Sequence, residues 1–507
     1  MIDSTVTRSS TVSDIVRRSG ARFGDKVAVR FADREWTYRQ LDAAVTRVAH
    51  HLSETLGIPP RARIATLGKN SDAYLITFLA CARAGYIHVP LNYNLLGREL
   101  DHLIHNSGSK VVLADPDLAG RLADIEHAPE QVLPLRDADD SILAVAQGDS
   151  TPEFEERGRD TDTVQLLYTS GTTSAPKGAI MSHRALVSEY MSCIHALDLG
   201  AEDNPLHVMP LYHSAQMHVF ILPGLMVGQT NTILEVPEPG DVLRRLAADG
   251  HKSFFAAPTL WVGMANNPEF DRLSFDGLEK AYYGASIMPV PVLKKWQAKA
   301  PNVGFYNCFG QSEIAPLACV LRPEEHEDRP DSAGRPVLFV EARVVDAAGN
   351  DVPVGESGEI IYRSPQLCDG YWENFKATEE AFADGWFHSG DLVRQDEEGY
   401  MFVVDRIKDV INTGGVLVAS REVEDALYTH PGVAEVAVVG VPDEKWVEKI
   451  VAFVVRRPEA TDLDVETLTA HARTQVAAFK VPKRIEFLDD LPRNASGKIL
   501  KRELRDA

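Results

Sequence analysis

The stretch Val164–Leu186 reads VQLLYTSGTTSAPKGAIMSHRAL, and its central run, Tyr168–Gly178, decides the fold. The apolar VQLLYT predicts a strand. Ser182 stands where a helix cap belongs, with Leu186, Tyr190 and Ile194 at helical spacing beyond it. The centre is therefore expected to be a strand-to-helix loop. It gathers three Thr, two Ser, two Gly, one Pro and one Lys. Small residues let a backbone close around an anion, hydroxyls donate to it and Lys177 balances its charge, so phosphate is the ligand such a loop suits. The spacing is not that of a P-loop, G-x-x-x-x-G-K-[ST], because from Gly171 the run is GTTSAPKG. A flexible polar loop would explain SGTT alone, but not the Pro-Lys-Gly ending.

Working outward, strands and helices alternate. Thr37 caps a predicted helix whose Leu41, Val45, Val48 and Leu52 share one face. RIATLG, YIHVPLN and KVVLAD read as strands separated by helices such as AYLITFLACARAG, which predicts α/β layers on a mostly parallel sheet. The acidic, weakly patterned stretch 131–162 reads as a surface excursion. KSFFAAPT, KAYYGAS, VGFYNCFGQSE and GEIIYRS continue the alternation. After GYMFVVDRIKD the character changes to a helix, two strands, a helix and a strand, a small α+β unit. The expectation is a fold of α/β and α+β parts: a large N-terminal domain of layered sheets and helices (1–405), a hinge (406–408) and a small mobile C-terminal α+β domain (409–507).

Composition narrows the partners. The chain has 507 residues, more than a single core usually supports. Its formal net charge of −22 argues against nucleic acid or an anionic membrane as partner. Five scattered cysteines, without close pairs or metal-ligand spacing, fit a reduced, cytoplasmic protein. The N-terminus has no apolar signal region, and no apolar run is long enough for stable membrane insertion.

LLYTSGTTSAPKGAIMSHRAL resembles the signature of the adenylate-forming superfamily, which includes acyl-CoA synthetases, adenylation domains and firefly luciferase. The pattern [ST]-S-G-[ST]-[ST]-G-x-P-K-G is matched everywhere except at Ser174. YNCFGQSE, FHSGDL, DRIKD and LPRNASGKILKREL resemble the family's further motifs, in the family's order, so the resemblance spans nearly the whole chain. It is nearest the fatty-acyl-CoA-synthetase-like branch. It implies an enzyme in which a carboxylate attacks the α-phosphate of ATP, pyrophosphate leaves, and the thiol of coenzyme A displaces AMP from the acyl-adenylate.

The resemblance also assigns roles. Thr169, Ser170, Gly171, Thr172, Thr173 and Lys177 would grip the outer phosphates, and Glu313 would hold Mg²⁺. Ser312 would bond the α-phosphate and Phe309 would lie on adenine. Asn307, Cys308, Gly310 and Gln311 complete that nucleotide-binding motif, and Gly284, Ala285 and Ser286 form a wall shared with the acyl group. Asp391 and Arg406 would receive ribose, and Lys498 would bridge the acid and the α-phosphate. Lys408 marks the hinge, Gly414 and Gly415 a passage for the pantetheine arm of CoA, and His213 the lining or gate of the acyl pocket. Taken singly each has a plain alternative: Asp391 a turn cap, Glu313 a solvated carboxylate, Lys498 part of a basic end.

Three departures keep rivals open. Ser174 replaces a usual Gly, Asp405 a common Gly, and Val416-Leu417 a polar pair. A ligase that only thioesterifies preformed acyl-adenylate stays open on that ground. So do a free-standing enzyme loading a carrier protein, disfavoured because no carrier motif is fused, and a non-enzymatic nucleotide or acyl sensor. The favoured reading is an AMP-forming acyl-CoA synthetase for a medium, long or bulky hydrophobic carboxylic acid. A homodimer is compatible with it.

Overall fold

The structure, a computed structural model, describes residues 8–169, 176–286, 288–414, 416–443, 446–493 and 499–505. Four sheets organise them. The first is six-stranded, in the order Gln131–Pro134, Val111–Ala114, Arg63–Leu67, Ile87–Leu91, Thr163–Thr169, Lys177–Ser182. Its first five strands run parallel and the last antiparallel. The second has nine strands. At its centre Ser253–Ala256, Lys280–Gly284 and Gly304–Gly310 lie side by side and parallel. The third is an antiparallel sheet of Glu341–Val345, Ser357–Arg363, Phe387–Gln395 and Met401–Arg406. The fourth, between 411 and 488, is built on the long hairpin Val433–Asp443 and Val447–Arg456, with Arg484–Leu488 parallel beside it. The layered α/β part and the α+β part thus both exist.

Local chemistry sets the elements. The helix Tyr38–His50 starts at a capping box in which Thr37 Oγ1 accepts from Gln40 N at 3.2 Å and Gln40 Oε1 from Thr37 N at 2.9 Å. Leu41, Val45, Val48 and Leu52 are fully buried on its expected face. Ser182 caps His183–Ala196 through its bond from Ala185 N. No described helix is long and apolar enough to cross a membrane.

Two expectations are corrected. Tyr168–Gly178 is not a strand-to-helix loop: Lys177–Ser182 returns as an antiparallel strand, with Thr169 opposite Lys177, before the helix begins. Pairing with Thr163–Thr169 on one side and with the segment near Gly370 on the other holds the extra strand. Nor is 131–162 all surface. Gln131–Pro134 forms the edge strand of the six-stranded sheet, and Leu135, Ile142 and Ala146 enter the main core, the apolar triad hidden among acidic residues.

Backbone crowding fixes two site glycines. A Cβ on Gly284 would lie 2.3 Å from Cys308 O, and one on Gly310 would lie 1.9 Å from Pro316 O. Gly310→Ala is expected to displace the turn Ser312–Ile314 and to lower stability by about 2 kcal/mol or more. Equilibrium denaturation checks this, and an unchanged midpoint contradicts it.

Candidate active site

The site residues collect where parallel strands end. Gly284-Ala285-Ser286 and Gly310-Gln311-Ser312 follow the carboxyl ends of the neighbouring strands Lys280–Gly284 and Gly304–Gly310, the edge where open α/β sheets bind ligands. Ala285 and Ser286 are exposed, and Ala285 has a φ of 66°. Phe309 and Gln311 are half-buried, and Gln311 Nε2 is a buried donor without an acceptor. Asn307 and Cys308 serve the scaffold: Asn307 Nδ2 donates to Ser332 O at 2.8 Å, and the Cys308 thiol is buried, which pushes its pKa up.

Glu313 is buried at the rim of the same edge. Its Oε1 accepts from the Tyr371 hydroxyl at 3.0 Å, while Oε2 accepts from no described residue. A hard carboxylate oxygen left without a donor suits a hard cation such as Mg²⁺, so this residue fits the metal the family implies. Lys177 approaches from the other side, its Nζ 5.1 Å from the centroid of the Tyr371 ring. Thr169 stands opposite Lys177 across the hairpin. Ser170, Gly171, Thr172, Thr173 and Ser174 lie outside the described residues, as do Gly415 and Lys498.

Asp391 and Arg406 are brought together as cross-strand partners, with Arg406 Nε 2.5 Å from Asp391 Oδ1. Lys408 lies in the short helical turn Ile407–Asp409. The side chain of Asp405 reaches past that turn: its Oδ2 accepts from Ser420 N at 2.6 Å and Ser420 Oγ at 2.8 Å. Gly414 has a φ of 66° and donates from N to Trp446 O at 2.5 Å, and a Cβ there would press on the Trp446 ring at 3.2 Å. Val416 and Leu417 are exposed beside it.

His213 is half-buried and accepts from Ala215 N at its Nδ1. Oγ of the next residue, Ser214, is 3.0 Å from Ser312 Oγ, so the segment carrying His213 and the turn Ser312–Ile314 touch directly. From there a π-helical turn, Ala215–Ile221, leads inward. Its His218 belongs to an ordered polar chain. Tyr190 OH donates to His218 Nδ1 at 2.8 Å and His218 Nε2 to Gln165 Oε1 at 2.8 Å. Gln165 Nε2 donates to His88 Nδ1 at 3.1 Å and His88 Nε2 to Thr66 Oγ1 at 3.0 Å. Burial lowers both imidazole pKa values to about 3, so both rings are neutral and every role in the chain is assigned. Gln165 lies on the strand Thr163–Thr169, so this chain joins that strand to the turn Ala215–Ile221.

Sequence reasoning missed Tyr371, Ser214, Gln366 and Glu189. Glu189 is fully buried behind the Glu313 turn. It accepts from Leu317 N at 3.0 Å, Gln366 Nε2 at 2.5 Å and Cys193 Sγ at 3.2 Å. Only its position opposite apolar helix neighbours hinted that it faces inward.

The comparisons with known proteins agree with this geometry. The model of the AMP-binding enzyme family matches residues 16–372, and that of the AMP-binding enzyme C-terminal domain matches 422–498. A feruloyl-CoA synthase of Amycolatopsis sp is 36% identical over 94% of this chain and 95% of its own. ATP-bound MatB from Rhodopseudomonas palustris superposes with a TM-score of 0.87 at 29% identity, over 98% of this chain and 99% of that one. The anthranilate CoA ligase AuaEII, solved with anthranoyl-AMP, gives 0.89 at 26% identity, over 98% and 97%. The chain belongs to the adenylate-forming AMP-binding enzymes. Within them it is an AMP-forming acyl-CoA synthetase, an acid–thiol ligase that uses ATP, Mg²⁺ and coenzyme A.

Burial raises the Glu189 pKa from 4.5 to about 8. The folded protein therefore keeps this proton to about pH 8, while the unfolded chain releases it near 4.5. Unfolding sheds a proton in that window, so Glu189 makes stability fall as pH rises through it, by at most ~1.4 kcal/mol per pH unit. Glu189→Gln is expected to remove that slope. Denaturation of both proteins from pH 5 to 8 checks it, and parallel stability curves contradict it.

Proposed function

We propose that the acid is a bulky hydrophobic one bearing an aryl group, joined to CoA through its acyl-adenylate with both half-reactions run by this chain. The observation that carries the proposal is the contact between Ser214 and Ser312. It sets the half-buried His213 and the neighbouring Tyr212, whose ring meets Tyr93 edge-to-face at 5.4 Å, against the nucleotide edge. Ala285 and Ser286, both small and exposed, follow the neighbouring strand of that edge. An aromatic pair beside that edge suits a flat ring. The feruloyl-CoA and anthranilate ligases, both named for aromatic acids, support the same class.

In this reading Lys177 and the residues from Thr169 to Thr173 hold the outer phosphates. Glu313 holds Mg²⁺, which offsets charge on the phosphates. Ser312 binds the α-phosphate, Phe309 packs on adenine, and Asp391 with Arg406 fixes ribose. Lys498 neutralises the meeting of carboxylate and α-phosphate, where preorganised cations contribute most. The hinge at 406–408 then presents the segment around Gly414 and Gly415 to the incoming thiol. The units 1–405 and 409–507 are the parts that move.

Two measurements test this. AMP release with CoA across aryl-propenoic, aryl-acetic, benzoic and straight-chain acids should give the highest kcat/KM for an aryl acid. A straight-chain acid that outperforms every aryl acid overturns the aromatic assignment. Pyrophosphate should form from ATP and acid without CoA, and Lys498→Ala should lower that release by roughly 100-fold or more. Absence of release by the wild type leaves only thioesterification of a preformed adenylate.

A further inference from the structure

We propose that Tyr371 is a positioning residue for adenylation: placed between Glu313 and Lys177, it keeps the two opposite charges from pairing and presents one to the metal and the other to the departing pyrophosphate. The proposal rests on the reading of Glu313 as the metal-holding carboxylate and Lys177 as a phosphate-facing cation.

Tyr371 comes to this place through its backbone. The segment 368–372 lies along the strand Lys177–Ser182. Asp369 N donates to Ile180 O at 2.9 Å, Ile180 N to Gly370 O at 2.9 Å, and Trp372 N to Gly178 O at 2.7 Å. At its other end Cys368 N donates to Glu313 O at 2.8 Å. One short segment therefore ties the metal-side turn to the strand that carries Lys177. Tyr371 N donates to Thr378 Oγ1 at 2.9 Å, which fixes the residue between them.

The side chain then contacts both charged groups differently. Its hydroxyl donates to Glu313 Oε1 at 3.0 Å, and its ring faces Lys177 Nζ at 5.1 Å. No ion pair joins Lys177 to Glu313. A half-buried ammonium and carboxylate left to themselves would pair, and Mg²⁺ with ATP would have to separate them against that attraction. A cation–π contact holds the ammonium more weakly than a carboxylate would, so the phosphates take it over at small cost. One hydrogen bond orients Glu313 and leaves Oε2 for the metal, the way outer partners orient metal ligands. Burial and the neighbouring carboxylate raise the phenol pKa, so the hydroxyl remains a donor.

Only adenylation uses the metal and the outer phosphates, which separates a positioning role from a structural one. The test uses the full chain as wild type, Tyr371→Phe, Tyr371→Leu and Glu313→Gln. Mn²⁺ affinity is read by EPR in the presence of α,β-methylene-ATP, AMP affinity by calorimetry, and thioesterification from a preformed acyl-adenylate with CoA. Tyr371→Phe should weaken Mn²⁺ binding roughly tenfold while AMP affinity and thioesterification stay at the wild-type level. Tyr371→Leu should in addition weaken the analogue itself, because Lys177 loses its ring. Wild-type Mn²⁺ binding in Tyr371→Phe overturns the proposal when Glu313→Gln weakens it. Wild-type Mn²⁺ binding in Glu313→Gln overturns the reading of Glu313, and the proposal with it. Equal loss of Mn²⁺ binding, AMP affinity and thioesterification in Tyr371→Phe shows a merely structural tyrosine and overturns the proposal.

Discussion

An acid attacking ATP is a meeting of two anions, and this chain arranges it inside a protein whose own formal charge is −22. The global field opposes the encounter, so the cations that permit it must act at short range. Their placement is correspondingly constrained. Arg406 is held 2.5 Å from Asp391 as a cross-strand neighbour, which leaves it one neutralised and oriented partner instead of a free charge. Lys177 is held over a ring, not on a carboxylate. A cation already satisfied by a protein carboxylate has little left for phosphate, and these two contacts represent the two ways of avoiding or using that effect.

Rigidity behind the site follows from the same demand. The turn that carries Ser312 and Glu313 is held from below by Glu189 and Gln366, which together bond Leu317 N, Leu317 O and Ser192. The neutral chain from Tyr190 to Thr66 fixes the turn Ala215–Ile221 to the strands Thr163–Thr169 and Arg63–Leu67 without introducing charge. Buried polar groups of this kind are costly unless fully satisfied, and here each has its partner. Contacts around residues 406–408 are of another sort. Asp405 grips Ser420, Arg421 reaches the Val403 carbonyl, and Arg505 pairs with Asp409 at 2.5 Å. The first two bridge residues 406–408, whereas Arg505 and Asp409 both follow them in the chain. Asp405, an acid where Gly is common, thus adds a specific tie across this segment.

Legibility from sequence divided along physical lines. Groups that must appear at fixed separations in one segment, such as Phe309 with Glu313 or Asp391 beside Ser389 and Gly390, were readable because local geometry sets their spacing. Helix starts at Thr37 and Ser182 were readable because a cap is a local hydrogen bond. The returning strand Lys177–Ser182 was not, since it is stabilised by pairing with Thr163–Thr169 and with the segment near 370, a partner almost 200 residues away. Tyr371 and Glu189 were hidden for the same reason. Their roles arise from which segments the fold juxtaposes, and nothing in DGYW or LVSEYM carries that information.

Small residues at the acyl edge show where such reading can mislead. Gly284 looks like an allowance for a large substrate, yet its missing side chain is demanded by the Cys308 carbonyl in the adjacent strand. Gly310 is required in the same manner by Pro316. Neither glycine therefore reports on acid size, because any acid of the family would meet the same backbone. Size selection has to come from side chains whose backbone leaves a choice. Ala285 and Ser286 are exposed, and the hydroxyl of Tyr212, the residue before His213, has no partner among the described residues. A buried hydroxyl in want of a partner is costly, so Tyr212 marks a place where the fold leaves a polar group unmatched.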